Sequence, residues 1–170
     1  MINLASVRIA RFAVVMVAAL AISACSKKPN DLDGAGAGSG RLGAGSAVPG
    51  SAQDFSVNVG DRVFFETDSS ELTPTAQATL DKQARWLNQY ARYQVRLEGH
   101  ADERGTREYN FALGARRASV TKNYLIARGV SSSRITTTSY GKERPVAVCN
   151  DISCWSQNRR AVTVPVGAGS

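Results

Sequence analysis

Residues 99–130 read GHADERGTREYNFALGARRASVTKNYLIARGV and contain the clearest structural signals of the chain. It opens with the loop His100–Gly105, after which Thr106 is placed to cap a helix. The predicted helix spans about Arg107–Arg128, and Gly129 suits the position just past its end because glycine readily adopts the left-handed conformation found there. The stretch therefore predicts a polar loop followed by one long helix.

Strand patterns lie on both sides of this helix. Tyr93–Glu98 alternates apolar and polar side chains, which is typical of a half-buried strand. Arg134–Tyr140 and Arg160–Val166 are rich in β-branched residues and are predicted to be two further strands. Upstream, an apolar segment at Val57–Phe65 predicts the first strand. The sequence thus predicts four strands.

The other predicted helix begins at Thr73-Pro74, which offers an N-cap and a proline at the first helical position. Apolar residues recur through it at helical spacing, which predicts that one of its faces is buried. They are Leu80, Ala84, Leu87 and Ala91. The element order is β-α-β-α-β-β. This order predicts an α/β (α+β) sandwich in which the helices pack on one mixed sheet.

The N-terminus is typical of a secretory signal. Arg8 and Arg11 precede an apolar run from Phe12 to Ile22. A membrane-spanning helix needs about 20 apolar residues, so this run is too short to be one. A signal cleaved by the ordinary peptidase and a retained membrane anchor are the alternatives to the lipoprotein signal described next.

The residues that end this run resemble a bacterial lipobox. Ile22-Ser23-Ala24-Cys25 places a cysteine directly after small residues. The resemblance implies cleavage between Ala24 and Cys25, with Cys25 then carrying N-palmitoyl and S-diacylglycerol groups. The presence of Ser26, rather than an aspartate, after the cysteine resembles lipoproteins that are sorted to the outer membrane.

Three parts are therefore expected along the chain. Residues 1–24 are the lipoprotein signal peptide, residues 25–51 are the lipidated cysteine and a flexible Gly/Ala/Ser tether, and residues 52–168 are the folded domain. The tether segment Gly34–Gly50 holds seven of the 15 glycines and almost no large apolar residues, so it cannot bury a core.

The length and charge of the chain exclude several classes. At 170 residues it is too short for a large multidomain enzyme. Its net charge of +7 is distributed over the signal, the tether and the domain, with basic and acidic residues interspersed. Nucleic acid is therefore not an expected partner, because a nucleic-acid surface concentrates cations and stacking aromatics.

Cys149 and Cys154 form a pair within one predicted loop. An exported chain permits a disulfide, and closing a loop of about six residues would stabilise the fold by about 2 kcal/mol. A metal pair is the alternative, but two cysteines and one distant histidine are a poor ligand set. The disulfide is the favoured interpretation, and no metal or other cofactor is expected.

The polar loop before the long helix contains His100, which is the only histidine of the chain. Acidic neighbours suggest a catalytic role, but proton transfer needs a partner positioned for a substrate. The sequence contains no nucleophile elbow, phosphate loop or HExxH motif. A structural role for His100 is therefore favoured, and the protein is not expected to be an enzyme.

Asp102, Asn110 and Arg117 suggest a binding site instead. Seven residues return a helix to nearly the same azimuth, so Asn110 and Arg117 lie on one side of it. A guanidinium can bind a carboxylate with two hydrogen bonds while an aspartate takes an ammonium. This set suits a ligand that has both groups. Spacing alone leaves open that Asp102 and Arg117 form an internal ion pair that braces the loop.

The stretch 99–130, with SYGKERP at 139–145 and NRRAV at 158–162, closely resembles the peptidoglycan-associated lipoproteins of the Tol-Pal system. The resemblance covers about residues 55–166 and implies an OmpA-like domain that binds the meso-diaminopimelate of peptidoglycan stem peptides non-covalently. It further implies anchoring in the outer membrane with the domain facing the periplasm. TolB and the other Tol proteins are the implied partners, and envelope integrity and outer-membrane constriction at cell division are the implied roles.

The resemblance also implies roles for individual residues. Asp102 would bind the ammonium and Arg117 the carboxylate of the ligand. The remaining ligand residues implied are Asn110, Leu113, Asp68, Asn158 and Arg159. Two positions depart from the family pattern: Thr67 stands where relatives often have an aromatic residue, and Gly114 replaces a more common serine, which weakens the helix slightly.

Three other classes need features that are not found in the sequence. A flagellar stator protein needs a retained spanning helix with an intramembrane acid. A porin with this tail needs an upstream barrel of hundreds of residues, and a periplasmic hydrolase needs a catalytic set.

Overall fold

The computed structural model describes residues 47–167. The predicted signal peptide, Cys25 and most of the tether lie outside the described residues. The elements, in chain order, are α1 (Ala52–Asp54) with a π-helical turn at Phe55–Gly60, β1 (Arg62–Phe64), α2 (Pro74–Gln89), β2 (Gln94–His100), α3 (Arg107–Ala127), a 3-10 turn at Ser132–Arg134, β3 (Ile135–Gly141), α4 (Ile152–Asn158) and β4 (Arg160–Val166).

The strands form one mixed sheet in the order β1-β4-β2-β3. β2 and β3 are parallel and are joined through α3, whereas β4 is antiparallel to both of its neighbours. Val95 and Leu97 of β2 and Ala161 of β4 pack with apolar side chains of α2 and α3 in the core. The predicted sandwich of helices on a mixed sheet is confirmed. Among residues 47–167, no helix is long and apolar enough to span a bilayer.

α2 begins as its sequence predicts. The Thr73 hydroxyl accepts a hydrogen bond from the backbone N–H of Ala76 at 3.2 Å, and proline occupies the first helical position. The apolar stripe is buried through Leu87. The helix ends at Gln89, so Ala91 lies beyond it and is exposed, and its assignment to the buried face was wrong.

The prediction of a strand over Val57–Phe65 is wrong for its first half, since Phe55–Gly60 is helical and β1 covers only Arg62–Phe64. The physical reason is tertiary packing. Phe55 is fully buried with its ring centroid 4.9 Å from that of Trp86. Trp86 also donates from Nε1 to the Asp54 carboxylate at 2.9 Å, which holds this segment against α2.

The segment before β4 also differs from its prediction as a loop. Asp151 caps α4 by accepting a hydrogen bond from the Ser153 N–H at 2.8 Å, so Cys154 is helical. Cys149 and Cys154 are joined by a disulfide, which ties the preceding loop to the first turn of this helix.

Candidate ligand-binding site

α3 and β2 are in direct backbone contact beside the site. A Cβ atom added to Gly99 would overlap the carbonyl group of Gly114, and one added to Gly114 would lie 2.5 Å from the Ser139 hydroxyl. Both positions therefore require glycine for close approach. From the sequence, Gly114 is expected only to weaken the helix slightly. In the structure it lets α3 approach β2 so closely that the first turns of α3 meet the loop that follows β2.

A cleft of about 240 Å³ opens where this loop, the loop after β1 and the start of α3 meet. Its walls are formed by Thr67, Asp68, Asp102, Arg104, Gly105, Tyr109, Asn110, Leu113 and Arg117. Five of the seven ligand residues that the sequence suggests are thus brought together in one cleft, and Asn158 and Arg159 are not among its walls.

Arg117 forms one end of the cleft and is fully buried. Its Nε donates to the Ser69 carbonyl at 2.9 Å, and its two terminal nitrogens donate to the carbonyls of His100 at 2.8 Å and Glu66 at 3.1 Å. A guanidinium has five N–H donors, so these three bonds leave two N–H groups for another acceptor. Burial and the nearby Arg159 cation lower the Arg117 pKa to about 10, and the side chain remains charged at neutral pH.

Asp102 is the buried anionic group of the same cleft. Its Oδ1 accepts from the backbone N–H and the Nε of Arg104 at 3.2 and 3.1 Å. Its Oδ2 accepts from a terminal nitrogen of Arg104 at 2.7 Å and from one of Arg159 at 3.3 Å. Burial raises the pKa of Asp102, but the hydrogen bonds from Arg104 and Arg159 outweigh burial and hold it below the usual 3.8. Asp102 is therefore a carboxylate at neutral pH.

The internal Asp102–Arg117 ion pair that spacing leaves open does not form in the described part of the chain. The ion pairs of Asp102 within 4.0 Å are those with Arg104 and Arg159. Arg117 is hydrogen-bonded to backbone carbonyls instead. The cleft thus contains a separate anion and a separate cation, each held by other groups.

Three further predicted residues also line the cleft. Asn110 is buried and donates from its amide to the Arg104 carbonyl at 2.6 Å, which fixes the loop that contains Asp102. Leu113, on the same helix, supplies buried apolar surface. Asp68 has a φ of 57° and accepts a hydrogen bond from the Tyr109 hydroxyl. This bond ties the loop after β1 (residues 65–73, the first loop) to α3.

The two predicted residues outside the cleft have supporting positions. Arg159 lies behind Asp102, to which it donates, and its Nε donates to the Phe65 carbonyl at 3.0 Å. The Asn158 amide is fully buried and bonds the backbone of Val146 and Ala147. Arg159 therefore reaches the cleft only through Asp102, and Asn158 braces the loop before α4.

Sequence reasoning missed Arg104 and Tyr109. The Arg104 guanidinium lies 4.1 Å from the centroid of the Trp155 ring, and Trp155 donates from Nε1 to the Glu103 carboxylate. Arg104 lies two residues after Asp102, and this spacing is a local signal that the two side chains can form an ion pair. No local signal exists for Tyr109 and Asp68, because 41 residues separate them.

His100 is buried outside the cleft, with its ring centroid 5.4 Å from that of Tyr140. Neither ring nitrogen has a hydrogen-bond partner among residues 47–167. Burial, followed by the cations of Arg160 and Arg144, lowers the His100 pKa to about 4, so the ring is neutral at pH 7. Within the same residues, no group of three or more His, Cys, Asp or Glu side chains could hold a metal ion.

The sequence and the fold match a known class of domain. Residues 64–159 match the model of the OmpA family. The C-terminal domain of Helicobacter pylori MotB has the same fold, with a TM-score of 0.60 over 64% of this chain and 86% of that one, at 21% identity. The chain therefore contains an OmpA-type domain, and the cleft lies within the matched residues.

More similar proteins identify the group within that class. The peptidoglycan-associated lipoprotein of Rhizobium meliloti is 62% identical over 160 residues, which cover 92% of this chain and 88% of that protein. The crystal structure of the peptidoglycan-associated lipoprotein from Burkholderia pseudomallei aligns with a TM-score of 0.64 at 35% identity, over 68% of this chain and all of that one. The chain belongs to the peptidoglycan-associated lipoproteins. It is thus a structural lipoprotein of the cell envelope and not an enzyme.

Proposed function

We propose that the cleft binds the meso-diaminopimelate residue of peptidoglycan stem peptides without covalent attachment. In this proposal Arg117 binds the carboxylate at the free amino-acid end of that residue, and Asp102 binds the ammonium beside it. The strongest support is that one cleft contains both a buried guanidinium and an ionised aspartate. The guanidinium of Arg117 still has two N–H groups that no described residue accepts.

The chemistry of the cleft favours a zwitterionic ligand over a simple anion or cation. A carboxylate bound at Arg117 would neutralise a buried cation that is now hydrogen-bonded only to neutral carbonyls in the described residues. The ammonium on the same carbon as that carboxylate would keep Asp102 paired with a cation. Leu113 offers apolar surface for the methylene groups that join the two ends of diaminopimelate.

The remaining predicted residues act around these two. Asn110 holds the loop that contains Asp102, and Asp68 belongs to a first loop whose carbonyls orient Arg117. Arg159 fixes Asp102 from behind, and Asn158 positions the segment that leads to Arg159.

Anchoring is the second part of the proposal. A lipidated Cys25 would hold the tether in the outer membrane, so that the domain in the periplasm links this membrane to the cell wall. The membership in the peptidoglycan-associated lipoproteins supports this arrangement. In the Tol-Pal system, TolB and the other Tol proteins would use the link to maintain the envelope and to constrict the outer membrane during division.

Co-sedimentation with purified peptidoglycan sacculi tests the binding site. Asp102→Asn keeps the shape of the side chain but removes its charge, and we expect at least about a tenfold loss of affinity, since a hydrogen bond to a charged group contributes about 1.5–3 kcal/mol. Repeated sites in the sacculus raise the apparent affinity, so the assay is run at low protein density.

Asp81→Asn is the matched control. Asp81 pairs with Arg128 at 2.6 Å on the outer surface of the helices, away from the walls of the cleft. The same chemical change there should leave sedimentation unaltered. Equal sedimentation of wild type and Asp102→Asn would contradict the assignment.

A further inference from the structure

Both oxygens of the Asp102 carboxylate are fully hydrogen-bonded within the protein. Each of its two oxygens accepts two hydrogen bonds, three of them from Arg104 and one from Arg159. A carboxylate has about four lone-pair sites, so all of them are used. An incoming ammonium must therefore displace one of the present donors before it can bind Asp102.

The Arg104 guanidinium is the donor that can leave. The side chain of Arg159 is 5% exposed and is also bonded to the Phe65 carbonyl, so its movement would disturb β1 and β4. The side chain of Arg104 is 41% exposed, and its guanidinium hydrogen bonds within the described residues are all to Asp102. Solvent and ligand reach it directly.

The Trp155 ring can hold the guanidinium of Arg104 after it leaves Asp102. Arg104 already lies 4.1 Å from the centroid of the indole ring, within the range of a cation–π contact. Trp155 is itself held through its hydrogen bond to Glu103, which is a carboxylate beside Arg104. A small rotation can therefore release Asp102 while the guanidinium stays on the indole ring.

We propose that Arg104 is an internal competitor that occupies the ammonium-binding position of the cleft until a ligand displaces it. The ammonium gains its hydrogen bonds to Asp102 only after Arg104 gives up its own, so an ammonium alone binds less tightly than it would to an unoccupied Asp102. Net binding depends on a carboxylate that reaches Arg117 at the same time. This inference rests on the proposed function and adds a residue that sets the affinity of that site.

Arg104→Gln tests the inference in the full-length protein in detergent micelles, titrated with meso-diaminopimelate. Removal of the competitor should tighten binding by about fivefold to tenfold, because apparent affinity scales with the fraction of molecules whose site is free. Cadaverine, which has ammonium groups but no carboxylate, should gain by the same factor. Arg107→Gln is the matched control, since Arg107 pairs with Glu143 outside the cleft and should leave both affinities unchanged.

The inference would be overturned if wild type bound meso-diaminopimelate and Arg104→Gln bound it equally or more weakly. That result would mean that Arg104 positions Asp102 for the ligand and does not compete with it. Binding by neither protein would show instead that the proposed ligand is wrong. A direct measurement in the wild type is the NMR signal of the Arg104 Nε–H group. It should shift at saturation with meso-diaminopimelate, and an unchanged signal would also overturn the inference.

Discussion

The two charged ends of the cleft are held by different parts of the protein. Arg117 is fully buried and donates to backbone carbonyls from the first loop and from the end of β2. Asp102 is held mainly by the side chains of Arg104 and Arg159, and the first of these is 41% exposed. One end of the cleft is thus built from main chain and the other from side chains.

This difference separates a preformed half of the site from an adjustable half. Carbonyl groups cannot move without movement of the strand or loop to which they belong, so Arg117 has one orientation in the folded protein. Side chains can rotate within the fold, so the surroundings of Asp102 can change when a ligand arrives. We therefore expect Arg117 to be coupled to global stability and Asp102 to be coupled mainly to binding.

Arg117→Ala should have the largest effect on stability. It removes a buried cation and leaves the carbonyls of Glu66, Ser69 and His100 without their donor. We expect the free energy of unfolding to fall by about 4 kcal/mol, because the buried His100 carbonyl left without a donor costs about 1–3 kcal/mol and the fully buried side chain leaves a cavity that costs a similar amount. Asp102→Asn should lower it by about half as much. Urea denaturation measures both values.

Arg116→Ala provides the control for the loss of one arginine from α3. Arg116 is exposed beside Arg117 and should change stability by at most about 0.5 kcal/mol. A stability loss for Arg117→Ala no larger than that for Asp102→Asn would contradict the division into a preformed and an adjustable half. It would also show that the carbonyl contacts contribute little to the fold.

Local sequence signals explain why part of the fold could be predicted. Thr106 caps α3 by accepting from the Tyr109 N–H, and Gly129 follows the helix with a φ of 90°. Both features depend on residues that are neighbours in sequence. The turn at Phe55–Gly60 could not be predicted in this way, because its helical form depends on packing against Trp86, more than 25 residues away.

The binding site likewise has one part that local sequence signals predict and another that depends on the tertiary fold. Helical spacing was enough to place Asn110 and Arg117 on one side of α3, where both reach the cleft. The partners of Arg117 could not be predicted, since its carbonyl acceptors in the first loop lie 48 and 51 residues away in sequence. Spacing identifies which side chains share a face, whereas the opposing groups depend on the tertiary fold.

His100 should give the next largest effect, as a dependence of stability on pH. Its backbone carbonyl binds Arg117, and Asp102 follows two residues later, so this strand end joins the two halves of the site. The folded-state pKa of about 4 is below the ordinary 6.5, so the unfolded chain binds more protons between these values. The contribution of His100 to the free energy of unfolding is therefore fully present above about pH 6.5. It should fall by about 3 kcal/mol as the pH drops to about 4, since one pKa unit corresponds to about 1.36 kcal/mol.

The difference between wild type and His100→Gln isolates this contribution. Urea denaturation of both proteins at pH 7 and pH 4.5 is the measurement, and the variant should lose much less stability than wild type over that interval. Aspartates with lowered pKa values, such as Asp54 and Asp81, affect both proteins equally and cancel in the difference. Parallel pH profiles for the two proteins would show that His100 titrates in the same way folded and unfolded.

The disulfide should give the smallest and most local effect. Cys149→Ser with Cys154→Ser opens a loop of about six residues, which costs about 2 kcal/mol in the chain-entropy account. The loop leads into α4, and α4 contains the Trp155 ring that lies against Arg104. Hydrogen exchange should therefore accelerate in α4 and in the loop around Asp102, while the amides of α3 near Arg117 keep their protection. Equal acceleration in both regions would mean that the side-chain half and the main-chain half of the cleft unfold together.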